Sequence, residues 1–279
     1  MTTNTLHLLN DGTKLPYIGF GTYMLNGSQG AESITKAIHN GYRLIDGAFN
    51  YENEGAVGKA VADSGIARDK LWLTSKLSGK HHAYKEAIET IEESLYRTRV
   101  DYYDLYLIHW PNPNQDLYVE AWQALIEAKK RGLINTIGVC NFLPEHLERL
   151  YEETGVMPSV NQIELHPYFN QANQLAYHKK HHILTESWSP IGRGNEITLE
   201  PIIVEIAKAK QRTVTQIVLR WHIQHGAVPI PKARSEAHQR ENLEVFDFEL
   251  STDEMMLIDS LTKEDGRLKN QHPLTFGDA

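Results

Sequence analysis

Short apolar runs of strand length punctuate the chain at intervals of about thirty residues, and between them the apolar positions switch to a helical spacing. The runs occupy 17–21, 42–46, 71–76, 104–109, 135–140, 159–164, 183–188 and 227–231. In the stretch 84–96, Tyr84, Ala87, Ile88, Ile91 and Leu95 fall on one helical face, while Glu86, Glu89 and Glu93 lie away from it. The interval between the seventh and eighth runs is longer and holds two helical segments, 199–210 and 213–225. Beyond the eighth run comes a helix at 236–244, then a second one opened by Ser251 with Glu254 three residues on, a capping-box pattern. At the front, LHLL and KLPYIGF flank Asp11-Gly12, a pair suited to the positive φ angles of a tight turn, so a hairpin is predicted there. The tail DGRLKNQHPLTFGDA is polar and rich in breakers, which predicts a loop or arm.

Eight strands alternating with helices predict one closed sheet rather than an open one: an α/β fold, a single (β/α)8 barrel of the TIM type. An N-terminal β-hairpin, extra helices around the eighth strand and a C-terminal loop would decorate it. One domain is expected over residues 1–279, with no low-complexity linker.

Composition narrows the partners. The 279 residues are 41% hydrophobic with a net charge of −8, too acidic for bulk attraction to nucleic acid. The start MTTNTLHLLNDG lacks a cationic segment followed by a long apolar one, and no apolar run approaches membrane-spanning length. No membrane partner and a cytoplasmic location are therefore expected, with a monomer or a weak homo-oligomer. The single cysteine, Cys140, excludes an intrachain disulfide and any cysteine-rich metal site.

Candidate chemistry sits at the ends of the runs. YRLID closes on Asp46, TSK on Lys76 and DLYLIH on His109, with Tyr51 shortly after the first. In a parallel barrel the carboxyl ends of all strands open onto one face, so an acid, an amine, an imidazole and a phenol would meet around one pocket. A free tyrosine, with a pKa near ~10, is a reluctant acid unless a positive neighbour stabilises its anion. Lys76 could supply that charge, kept protonated by Asp46, and His109 beside Trp110 could orient a carbonyl oxygen. Taken singly, each residue has a structural reading; taken together they point to carbonyl reduction. A reduction also needs a hydride, which no side chain provides, so a nicotinamide cofactor is implied. The chain lacks GxGxxG, but Lys232, Arg234, Ser235 and Arg240 cluster after the eighth run and SPIGRG follows the seventh, where barrels bind phosphate.

The motifs GFGTY (19–23), GYRLIDGAFNYENEGAVGKA (41–60), TSKL (74–77), LIHWP (107–111), GVCNF (138–142), NQIELHP (161–167), SWSPIGRG (187–194) and IPKARSEAHQRENLEVFDF (230–248) occur in order along the chain. In this the chain resembles the aldo-keto reductase superfamily, most of all its microbial branch of 2,5-diketo-D-gluconate, methylglyoxal and aldehyde reductases. The resemblance implies that Tyr51 is the proton donor, Lys76 and Asp46 its tuning partners and His109 the substrate-orienting group. It implies NADPH as cofactor, with Trp188 stacked on the nicotinamide and Asn141 and Gln162 on its carboxamide. Ser189, Ile191 and Arg193 would lie along the pyrophosphate, and Glu241 and Asn242 would face the adenine. Gly21, Thr22 and Asp46 would border the same cleft, with Lys232, Arg234, Ser235 and His238 near the 2′-phosphate.

Two departures bear on the cofactor: Ala233 stands where serine is usual, and His238 where an arginine usually grips the 2′-phosphate. A histidine is only partly charged at neutrality, so NADPH first with measurable NADH use is expected. Tyr23, Trp110 and the loop SGKHH (78–82) should line the mouth for a small carbonyl substrate. Ser78 and Gly79, where a tryptophan is common, predict a more open or more polar pocket, and Lys80, His81 and His82 could attract an anionic sugar acid.

Other readings compete. His178, His181 and His182, and His222 with His225, have spacings compatible with zinc, but without HExxH they read as surface histidines, and no metal is expected. A glycosidase would need two strand-end carboxylates, for which Asp46 and Glu164 qualify in position only. A third possibility is a non-catalytic, cofactor-binding sensor of the same fold.

Overall fold

The apolar run at 15–20 is shared between two sheets. In the computed structural model, which describes residues 6–194, 196–264, 266–269 and 271–278, β1 (Leu6–Leu8) and β2 (Lys14–Pro16) form the antiparallel hairpin, with Leu6 opposite Pro16. Barrel strand β3 (Gly19–Gly21) begins three residues after β2 ends. The hairpin loop is wider than a two-residue turn. The Leu9 N–H donates to Thr13 O across it (2.9 Å), and the Asp11 carboxylate accepts from Thr13 N–H (3.0 Å) and hydroxyl (2.6 Å). Within it only Gly12 has positive φ (+84°).

The remaining strands are β4 (Leu44–Asp46), β5 (Trp72–Leu77), β6 (Tyr103–Ile108), β7 (Ile134–Cys140), β8 (Val160–Glu164), β9 (Leu184–Trp188) and β10 (Val228–Pro229). From β3 to β10 all eight pair in parallel and in chain order. The ring closes beyond the short β10, where Ile230 N–H donates to Ser187 O (3.0 Å) and Gly21 N–H to Pro231 O (3.1 Å). Closure needs the glycines of Gly-Phe-Gly: a Cβ on Gly19 would lie 2.5 Å from Ile230 Cδ1, and one on Gly21 3.2 Å from Ile230 O.

Ten helices occur among the described residues: α1 (Gly27–Asn40), α2 (Glu54–Asp63), α3 (Tyr84–Thr98), α4 (Tyr118–Lys130), α5 (Pro144–Thr154), α6 (Ala172–Lys180), α7 (Pro201–Lys210), α8 (Val214–Gln224), α9 (Glu236–Glu241) and α10 (Thr252–Asp259). The helix expected from 199 starts at Pro201, suited by its fixed φ to a first helical position. The Ser251 capping box forms as its spacing predicts. In α3 the buried stripe differs from the predicted one. Ala87, Ile91 and Leu95 are buried as expected, but Tyr84 is exposed, and Thr90, Ser94 and Thr98 complete the inner face. Their hydroxyls have partners there: Ser94 Oγ lies 2.9 Å from Tyr106 Oη, and Thr98 bonds Tyr103.

Strand periodicity sorts the core into two shells. Leu44, Leu105, Leu107, Val160 and Val228 fill the barrel interior, plugged below by Leu9 and Leu15 of the hairpin. Ile45, Leu73, Tyr106, Ile108 and Val139 face outward against Ile34, Ile91 and Leu125 of the helices.

Two histidines expected at the surface are interior. His178 is held by Asn161 Nδ2 (3.0 Å), Gln174 Nε2 (3.0 Å) and Thr185 Oγ1 (2.8 Å), and His222 lies 3.0 Å from Pro190 O. Burial pushes the pKa of each down to about 3, so both are neutral at pH 7. Among the described residues no group of three or more His, Cys, Asp or Glu is arranged to hold a metal ion, and no helix is long and apolar enough to cross a membrane.

Candidate active site

The period of two that sends Leu44 into the barrel also sends Asp46 inward. Leu105 and Leu107 lead in the same way to His109, Val160 to Gln162, and Leu184 to Glu186 and Trp188. Lys76, two residues past Thr74, joins them. These side chains collect at the carboxyl end of the barrel because every strand there runs the same way.

Lys76 and Asp46 are both buried. The ammonium donates to Asp46 Oδ1 (2.7 Å), Asp46 Oδ2 (2.8 Å) and Gly47 O (2.8 Å). Burial alone would lower the Lys76 pKa, but the charge of Asp46, its hydrogen bond and the smaller contributions of Tyr51 and Cys140 together outweigh burial and raise it. Tyr51 ends a 3-10 turn (Phe49–Tyr51) that follows β4, and its ring centroid lies 5.1 Å from Lys76 Nζ. Tyr23 and His109 pack edge-on to this ring, at 5.1 and 6.0 Å between centroids.

The acidified phenol expected from the sequence is not what the geometry yields. Burial pushes the Tyr51 pKa up to about 12; Lys76 opposes this by its charge and, more weakly, by a side-chain hydrogen bond, while Asp46 reinforces the rise. Burial is the largest cause, and the pairing adds to it, since an ammonium neutralised by a carboxylate exerts a smaller field on its neighbour than a lone one.

A hydrogen-bonded chain continues from His109. Its carbonyl accepts from Asn141 Nδ2 (3.1 Å), and Asn141 Oδ1 accepts from Trp188 Nε1 (2.7 Å). Asn141 holds a left-handed backbone (φ +62°). Gln162 donates both amide protons, to Asp46 Oδ1 (2.9 Å) and Glu186 Oε2 (2.8 Å), which leaves its Oε1 as an acceptor for an amide N–H. Glu186, absent from the sequence-based set, is fully buried, and burial followed by repulsion from Asp46 pushes its pKa up to about 8. Its inward parity two residues before Trp188 is the signal that could have found it. Gly21 and Thr22 are buried at the same rim, the Thr22 hydroxyl donating to Asp46 O (2.9 Å).

On the far side, Ser189 (φ +49°), Gly192 (+56°) and Arg193 (+62°) turn the chain sharply. Ile191 packs its side chain into the core. Arg193, Lys232 and Arg234 are exposed and converge: burial, then the charges of Arg234 and Arg193, lower the pKa of Lys232. None of the three has a carboxylate partner among the described residues. Unpaired cations gathered in this way provide a seat for phosphate. Lys232 Nζ also lies 5.9 Å from the Tyr23 ring centroid, so Tyr23 links this cluster to Tyr51.

The rest of the expected cofactor set is divided. Ser235 caps α9 and His238 is exposed on it, whereas Asn242 is buried and Glu241 accepts from Thr213 Oγ1 (2.6 Å). Arg240 is engaged with Glu236 and with Asn40 Oδ1 (3.0 Å). Ala233 is buried.

The mouth is polar but not open. Trp110 is covered by Phe276 (4.5 Å between ring centroids). At Gly79 a Cβ would meet Asn112 Nδ2 at 1.8 Å and Asp278 Oδ1 at 2.2 Å, so the space a larger side chain would take is filled by Asn112 and by Asp278 of the C-terminal arm. Nor is the SGKHH loop a patch of three cations. His82 is buried, which pushes its pKa down to about 4 and leaves it neutral, and His81 packs edge-on to Phe49 (5.6 Å).

A family model described as Aldo/keto reductase family matches residues 17–263. The chain belongs to the aldo/keto reductase family. This aldo/keto reductase is 47% identical over 267 residues to 2,5-diketo-D-gluconic acid reductase B of Corynebacterium sp. (strain SHS752001), covering 96% of each chain. It is 42% identical to methylglyoxal reductase DkgA of Escherichia coli (strain K12), over 99% of this chain and 100% of that one. Among solved structures, a point mutant of Gox0644 in complex with NADPH superposes with a TM-score of 0.93 at 42% identity, covering 98% of both chains. The Bombyx mori aldo-keto reductase AKR2E4 in complex with NADP gives 0.90 at 31% identity, covering 97% of this chain and 96% of that one.

Proposed function

We propose that the protein reduces small aldehydes and ketones to alcohols with NADPH, RCHO + NADPH + H⁺ giving RCH₂OH + NADP⁺, with Tyr51 as the proton donor. The observation that carries this reading is the buried Lys76–Asp46 pair beneath a phenol at the barrel mouth.

The residues fit the cofactor. Arg193, Lys232 and Arg234 form an unpaired cationic seat for its phosphates, the half-buried Trp188 offers a ring face, and Gln162 Oε1 and Asn141 carry the hydrogen-bonding capacity for a carboxamide. When bound, the nicotinamide supplies the hydride that no side chain can. Tyr51 and His109 hold the carbonyl oxygen. A phenol with its pKa near 12 keeps its proton at neutral pH, and the oxygen that gains negative charge becomes a stronger base than phenolate, so transfer runs downhill. Lys76 then stabilises the phenolate, and Asp46 with Gly47 O keeps the ammonium charged and aimed. Trp110 and Phe276 wall the mouth against water.

The relatives' names span a sugar acid and a neutral dicarbonyl, so this reading fixes the reaction and leaves the charge of the substrate open. NADPH is preferred over NADH through Lys232 and Arg234; Arg240, tied to Glu236 and Asn40, contributes less. Loss of absorbance at 340 nm on mixing protein, NADPH and a panel of small aldehydes is the direct test. Cofactor binding without that loss would turn the reading to a sensor, and equal efficiency with NADH would refute the cofactor order.

A further inference from the structure

Directly beside the catalytic face, an anion seat is already filled by the chain itself. The described residues of the C-terminal arm, 266–269 and 271–278, reach the barrel mouth, fixed by Leu268 N–H donating to Glu164 Oε1 (2.6 Å) and by Phe276 on Trp110. The arm places the Asp278 carboxylate 2.9 Å from His109 Nδ1. The seat itself is directional. Oδ1 accepts from Gly79 N–H (3.1 Å) and Asn112 Nδ2 (3.1 Å), Oδ2 accepts from Asn50 Nδ2 (2.9 Å), and the Asp278 N–H donates to Asn112 Oδ1 (2.9 Å).

Asp278 is an anion at neutral pH. Burial alone would raise its pKa, but His109, Asn112 and His82 together hold it below the usual carboxylate range. Among the described residues His109 is the only ion-pair partner within reach of this carboxylate: His82 is neutral at pH 7, and the three donors of the seat are uncharged amides. A carbonyl held by Tyr51 and His109 therefore has the rest of its molecule next to a fixed negative charge.

We propose that Asp278 sets the charge class of the substrate: uncharged carbonyls such as 2-oxoaldehydes and aryl aldehydes are accepted, and carbonyl acids are rejected because their carboxylate would need the seat Asp278 occupies. The inference rests on the reductase reading above and narrows it. Like charges a few ångströms apart in a partly buried site repel strongly enough to give about tenfold discrimination or more. Gly79 is what permits the arrangement, because any side chain there would displace the carboxylate.

The test compares benzaldehyde with 4-carboxybenzaldehyde, with NADPH saturating, in the full chain and in Asp278→Ala and Asp278→Asn. The ratio of kcat/KM for the acid to that for the neutral aldehyde should be about 0.1 or less in the parent chain and should rise about tenfold in Asp278→Ala, less in Asp278→Asn, whose amide still fills the seat. Benzoate binding by calorimetry gives a readout free of turnover, and Asp278→Ala should bind it about fivefold more tightly or better. An unchanged ratio, or equal benzoate affinity in parent and Asp278→Ala, would overturn the proposal. Should the parent chain reduce neither aldehyde, the reductase reading fails, and benzoate binding alone still decides the role of Asp278.

Discussion

The Lys76 ammonium lies 2.7 and 2.8 Å from the two carboxylate oxygens of Asp46, with both side chains buried. Removing one partner of such a pair leaves the other uncompensated, at a cost of about 3–5 kcal/mol. Asp46→Asn should therefore lower stability by roughly that amount in denaturant titrations. It should also lower kcat by roughly 10²-fold or more, because a buried lysine without its carboxylate loses its proton and no longer stabilises the phenolate. A variant as stable as the parent would show that the pair is not desolvated as described.

Glu186 gives the fold a pH dependence of definite sign. Its pKa is about 8 in the folded chain against 4.5 ordinarily, so between these values the folded state holds a proton that the unfolded state has released. Stability from this group is complete below about 4.5 and declines as pH rises toward 8, by at most about 1.4 kcal/mol per pH unit. Glu186→Gln keeps the shape without the titration, so the stability difference between variant and parent should move in favour of the variant between pH 5 and pH 8. A difference independent of pH would mean that Glu186 is ionised in the fold.

Gly79 should tolerate no side chain. Gly79→Ala places a methyl group on Asn112 and Asp278, and overpacking of this kind costs typically about 1–3 kcal/mol. The C-terminal arm, described over 266–269 and 271–278, is the element that carries Asp278 onto Gly79, so limited proteolysis should cut it faster in the variant. Unchanged cleavage would show that the arm does not rest on Gly79.

Much of this was legible in the sequence because a strand has only two faces. Once DLYLIH is read as a strand, the leucines that build the interior fix which way His109 points, and the same parity places Asp46 and Gln162. The shared run at 15–20 was harder to read, since apolar continuity does not say where one sheet hands over to another. His178 and His222 were read as surface because polarity suggests exposure, while partners such as Thr185 and Pro190 O become visible only once the chain is folded. The pKa of Tyr51 depends on the net field of a pair rather than on either charge, and that balance is a matter of distance and burial. Asp278 carries no local signal at all: it lies far along the chain from His109, and only the path of the arm brings the two together.

The proton donor is tested most directly by Tyr51→Phe, followed by NADPH oxidation at 340 nm with a small aldehyde and by NADPH affinity from fluorescence. The account predicts that turnover falls by about 10²-fold or more while affinity stays within about threefold, since the change removes one hydroxyl and leaves Lys232, Arg234 and Trp188 in place. Turnover equal to that of the parent would contradict it and move the acid role to His109.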